Sequence, residues 1–143
     1  MRFYIATDHA GVLIKDDVKK ILENMGHEVI DLGTDSEERV DYPDFAHKLS
    51  KEVLKDKGSF GILICGTGIG MSLAANKHKG IRAALCHDAY TAQMARAHND
   101  ANVLCFGQRV VGLGVIESMI KAWCETKFEG GRHENRVKKI EIE

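Results

Sequence analysis

The sequence predicts an α/β fold: a doubly wound five-stranded parallel sheet with helices on both faces. Three observations predict it. Short apolar runs alternate five times with longer segments of helical period. Runs such as Phe60–Cys65 are apolar at consecutive rather than alternate positions, so both sheet faces must be covered. Finally, 143 residues suffice for one core that buries roughly two thirds of the extended surface, which makes residues 1–143 a single domain. Helix-covered parallel strands joined by right-handed crossovers leave few topologies.

The first unit pairs a strand at Arg2–Thr7 with a helix at Gly11–Met25. In the second, Val29–Leu32 is the strand, Gly33–Asp41 a polar loop and Tyr42–Lys57 the helix, with Phe45, Leu49, Val53 and Leu54 on one face. Strands at Phe60–Cys65, Ile81–Cys86 and Asn102–Phe106 follow, each leading into a helical stretch: Ile69–Lys77, Asp88–His98 and Leu113–Phe128. Gly130-Gly131 breaks the last helix. Residues 129–143 therefore read as a polar tail carrying the basic group Arg132-His133-Glu134-Asn135-Arg136. With strand order 2-1-3-4-5 the first and third strands meet at the switch point, where ligands bind beyond the strands' carboxyl ends.

Lys and Arg number 20 against 21 acids, so no global field attracts nucleic acid or an anionic membrane. No apolar run approaches the ~20 residues of a membrane span, and the opening residues lack a signal-peptide core. A soluble, cytoplasmic protein is expected. Cys65, Cys86, Cys105 and Cys124 form no C-x-x-C pair and no cysteine–histidine cluster, so they read as free thiols with no metal bound.

The strand ends hold the candidate chemistry. Asp8-His9-Ala10-Gly11 follows the first strand, Gly66-Thr67-Gly68-Ile69-Gly70 the third and Gly107-Gln108-Arg109 the fifth. A glycine loop opening a helix presents backbone N–H groups to a nucleotide phosphate or to the oxyanion of a reacting substrate. Met71 stands where a dinucleotide fingerprint needs a small residue, and no G-x-x-x-x-G-K-[ST] loop exists, which favours the oxyanion over the nucleotide. Cys65, directly before the loop, is placed as a base whose thiolate a helix N-terminus favours; a buried cysteine closing an apolar strand is the plainer alternative. His9 and His98, each beside an acidic or polar strand or helix end, stand between structural and catalytic roles. Arg132 and Arg136, four residues apart, share one side of any helix, where they grip a phosphate or remain solvated.

Taken together, these strings resemble the B-type ribose-5-phosphate isomerase family, which includes the galactose-6-phosphate isomerase subunits. Its further points here are Ile81-Arg82-Ala83-Ala84 and His98-Asn99-Asp100-Ala101-Asn102-Val103-Leu104, and the match spans essentially the whole chain. The resemblance implies a Rossmann-like three-layer sandwich, a homodimer or homotetramer with shared active sites, and no metal or organic cofactor. It implies Cys65 as the proton-transferring base, His98 as the ring-opening group, Asp8 and His9 as substrate contacts and Gly66, Thr67, Gly68, Ile69 and Gly70 as the anion-hole loop. Asp8 and Thr67 also assist catalysis on this reading. Asn99 becomes a sugar ligand, and Arg109, Arg132 and Arg136 the phosphate set. Six-carbon substrates such as allose or galactose 6-phosphate form one rival expectation, and a nucleotide-binding regulatory domain the other.

Overall fold

Two largely apolar strands, β1 (Arg2–Thr7) and β3 (Phe60–Cys65), pair near the middle of the sheet in a computed structural model that describes residues 1–142. Their parallel register sets Phe3 opposite Phe60 and Thr7 opposite Ile64, so both end at the same edge. The remaining strands are β2 (Glu28–Asp31), β4 (Ala83–Leu85) and β5 (Val103–Gly107), all parallel. Between and after them run α1 (Val12–Asn24), α2 (Tyr42–Lys55), α3 (Ile69–Ala75), α4 (Ala89–Asn99), α5 (Leu113–Glu125) and α6 (Arg132–Lys138).

Alternate strand residues feed two cores. Phe3, Ile5, Ile62, Ile64, Leu104 and Phe106 pack with Val18 and Leu22 of α1, Ala92 and Ala95 of α4 and Trp123 of α5. Tyr4, Ala6, Leu63, Cys65, Val103 and Cys105 face Leu49 and Val53 of α2 and Met71 of α3. Each fully buried large side chain contributes about 1.5–3 kcal/mol relative to exposure, and the cores together cover both sheet faces as the consecutive apolar runs require.

The strand order is β2-β1-β3-β5-β4, which corrects the expected 2-1-3-4-5. Burial explains the exchange. β5 is buried at every position, whereas β4 shrinks from the expected Ile81–Cys86 to three half-buried residues. The short strand takes the edge, where the Asn76 side chain bonds both the N–H (2.8 Å) and the C=O (2.9 Å) of Ala83 and blunts it against further pairing. The fully apolar strand moves beside β3. The first and third strands remain neighbours, and Gly107 now lies opposite Cys65.

The C-terminal segment also differs from a polar tail. Gly131, with φ 55°, opens α6, and His133 on that helix is buried. His133 ties this short helix to α4 by stacking on His98.

Candidate active site

Cys65 ends β3 with 5% of its surface exposed, and the chain then turns through Gly66–Gly68 into α3. Gly68 makes the turn with φ 82°, and its N–H donates to Cys65 Sγ over 3.1 Å. No other residue fits: a Cβ there would lie 2.7 Å from Leu85 Cδ1 and 2.8 Å from the Phe106 carbonyl carbon. Gly107 is equally constrained, since a Cβ would meet the Gly66 oxygen and Thr67 Cα at 2.5 Å. These close approaches aim the sulfur and place a backbone donor where negative charge on it would sit. Burial holds the other cysteines as thiols: Cys86 and Cys124 are pushed up to about 11, and burial likewise raises the fully enclosed Cys105 well above the usual thiol range.

β1 ends beside this loop. Asp8, 6% exposed, accepts from the Ala10 N–H at 2.9 Å, which fixes the turn into α1. His9 Nδ1 accepts from the Val40 N–H at 3.2 Å, so its proton is on Nε2 and that nitrogen is left to donate. Val40 can reach His9 because the loop before it is anchored: buried Lys15 donates to Asp31 (3.0 Å) and Asp35 (2.8 Å). From β5, the N–H groups of Gln108 and Arg109 bond the carbonyls of Cys65 and Gly66, and the Arg109 guanidinium lies over Gly66. Asp8, His9, Cys65, Thr67 and Arg109 thus border one open cleft of about 450 Å³, together with Gly66, Ile69 and Gly70 of the loop.

Tyr42 and Leu73 border the same cleft, and sequence reasoning missed both. Tyr42 packs so closely on Gly70 that a Cβ there would sit 2.5 Å from Tyr42 Cε1. The only signal was an aromatic beside Pro43 at a helix start, which reads as ordinary helix entry.

His98, Asn99, Arg132 and Arg136 do not line this cleft. α4 runs back toward the amino ends of the strands, and β5 begins opposite Gly61, four residues and roughly 13 Å along the sheet from Cys65. His98 ends α4 at that far side. Its ring stacks on His133 with centroids 4.3 Å apart and planes 12° apart, while Glu129 faces both: 3.8 Å from His98 Nε2 and 3.5 Å from His133 Nε2. Burial, then the neighbouring His98 and Arg132, lower the His133 pKa. The three donors lie within 4.8 Å of one another, but near-parallel rings keep their lone pairs in separate planes, so one ion cannot lie in both. Asn99 borders a separate cavity of about 360 Å³ with Asn76, Arg82 and Ile140. Arg132 and Arg136 are exposed one turn apart on α6.

A thiol aimed into a switch-point cleft, with backbone donors, a histidine and a guanidinium around it, is an arrangement that suits an α/β enzyme. The chain belongs to the Ribose/Galactose Isomerase family, whose model matches residues 3–140. It is 50% identical over 133 residues to the ribose-5-phosphate isomerase B of Escherichia coli (strain K12), covering 93% of this chain and 89% of that protein. The structure of a Clostridium thermocellum ribose-5-phosphate isomerase B superposes with a TM-score of 0.95 at 48% identity, covering 98% of this chain and 95% of the other. That of a Thermotoga maritima ribose 5-phosphate isomerase gives 0.94 at 48% identity, covering 97% and 96%.

Proposed function

We propose that this enzyme interconverts D-ribose 5-phosphate and D-ribulose 5-phosphate through an enediolate. The observation that carries the reading is Cys65 Sγ, held by the Gly68 N–H at 3.1 Å in the cleft shared with Asp8, His9 and Arg109. The names of the similar proteins favour a five-carbon over a six-carbon substrate. Met71, wholly buried, leaves no room for the close packing a dinucleotide fingerprint needs.

His98 protonates the ring oxygen as the C1–O4 bond breaks and the anomeric hydroxyl gives its proton to water, so the furanose opens to the free aldehyde, with Asp8 orienting the sugar. Cys65 thiolate takes the proton from C2, and negative charge passes to O1, where the N–H groups of Gly66–Gly70 and the Thr67 hydroxyl stabilise it. The thiol returns its proton to C1 while the hydroxyl proton passes from O2 to O1, so the ketose forms without loss or gain of atoms. Binding energy from the remote phosphate, held by Arg109, Arg132 and Arg136, positions the reacting carbons over the sulfur. No organic cofactor or metal enters this scheme.

The distance between the Cys65 cleft and the His98 end of α4 supports a shared site in a homodimer or homotetramer. One copy supplies Asp8, His9, Cys65 and the glycine loop; the next supplies His98, Asn99, Arg132 and Arg136. Four free cysteines are in keeping with a reducing, cytoplasmic compartment. Incubation of purified protein with ribose 5-phosphate should yield ribulose 5-phosphate. Failure to form ketose from this aldose, with conversion of allose or galactose 6-phosphate instead, would reassign the substrate.

A further inference from the structure

Asp100 is the one non-glycine residue at positive φ among the described residues, with φ 46° and ψ 43°. Asparagine, aspartate and glycine tolerate this conformation best, so a plain helix C-cap is one reason for aspartate here. The carboxylate does more than tolerate the turn. Arg96, one helical turn earlier, donates to Asp100 Oδ1 at 2.9 Å and to the Ala101 carbonyl at 2.7 Å. Arg82, entering β4, donates through Nε to the carbonyls of Asn99 (3.1 Å) and Asp100 (2.9 Å) and through its terminal nitrogen to Asp100 Oδ2 at 3.3 Å.

Both arginines are themselves held. Arg96 lies over the Phe60 ring at 4.8 Å and near Trp123 at 5.7 Å, and the backbone N–H of Arg82 donates to Asn102 Oδ1 at 2.8 Å. Backbone N–H groups of Ala101, Asp100 and Glu129 already cap the Ala95, Arg96 and Ala97 carbonyls, so what the arginines add is a hold on the Asn99 and Asp100 carbonyls and on the carboxylate, in the turn that carries His98, whose ring is 38% exposed. We propose that Arg82, Asp100 and Arg96 form a clamp whose function is to hold the end of α4 so that His98 keeps its stacked position on His133; these are positioning residues for ring opening. The inference rests on the ring-opening role given to His98, and its consequence for turnover follows only if that role holds.

Asp100→Gly separates the two roles of Asp100, because glycine adopts positive φ freely but has no carboxylate. The variant should keep the circular dichroism of the wild type, lose kcat on ribose 5-phosphate by about tenfold or more with KM little changed, and lose the ring-to-ring NMR contacts between His98 and His133. In a His98→Asn background the same change should cost less than about twofold, since both lesions then act through one group. Arg82→Lys keeps the charge but not the forked donors, and should lose the ring contacts in part, which provides a second variant if the first folds poorly. Ring contacts retained in a folded Asp100→Gly or Arg82→Lys protein overturn the clamp whatever the kinetics. A further tenfold loss in the His98→Asn background overturns it too. Full activity of His98→Asn sinks instead the role given to His98, and the ring contacts then decide the clamp by themselves.

Discussion

What the sulfur of Cys65 meets sets it apart from three chemically identical side chains. Burial raises the pKa of Cys86, Cys105 and Cys124; Cys65, also buried, differs in bordering the cleft and accepting from the Gly68 N–H. Cys65→Ser keeps the shape but supplies no comparable anion near neutral pH, so kcat should fall by ~10²-fold or more with an unchanged thermal midpoint. Near-normal turnover would remove Cys65 from the mechanism. Gly68→Ala adds strain at φ 82° and a clash with the Phe106 backbone, so it should lower stability by roughly 1–3 kcal/mol, readable as a drop in the denaturation midpoint. A midpoint equal to the wild type would show that the turn relaxes. These residues were legible because Cys65 and its loop are contiguous in the chain. Tyr42 and Glu129 were not, since their chemistry arises only from what the fold sets beside them.

Among the elements, α2 and the turn after α3 are joined by a histidine pair, His47 Nδ1 to His78 Nε2 at 2.6 Å. Burial, then His47 and Lys51, lower the His78 pKa from its ordinary 6.5; His27 and His133 shift the same way, burial leading in each. Where a folded histidine has the lower pKa, the unfolded chain binds the proton more readily. Stability is therefore full above about pH 6.5 and falls as the pH drops below it. The thermal midpoint should decline between pH 7 and pH 5, and His78→Gln should make that decline shallower; equal slopes in the two proteins would deny the pair any part in it. The elements themselves were legible from period and apolar run, but the order of β4 and β5 was not. Run length alone did not reveal that small, half-buried Ala83 and Ala84 suit an edge while Val103–Phe106 demand the interior.

Over the whole molecule, the residues proposed for one reaction fall into two groups at opposite ends of the sheet, with Cys65 at the carboxyl end of β3 and His98 near the amino end of β5. A linear motif reading lists both groups without their separation, because strand direction, not sequence order, decides which end each occupies. If neighbouring copies complete each other's sites, the two groups can be impaired on different chains. Arg132→Ala and Arg136→Ala should each weaken sugar-phosphate binding, as a lost charge-assisted contact worth ~1.5–3 kcal/mol does, and the pair together should leave a chain of little activity. Cys65→Ser should be similarly inactive. Co-expressed, the two chains form mixed dimers in which one site carries every lesion and the other carries none. Activity near half that of the wild type per mixed dimer is expected, measured as ketose formed after separating mixed from parental species by differing affinity tags. Verified mixed dimers without recovered activity would put the arginines in the same site as their own cysteine and end the shared-site reading.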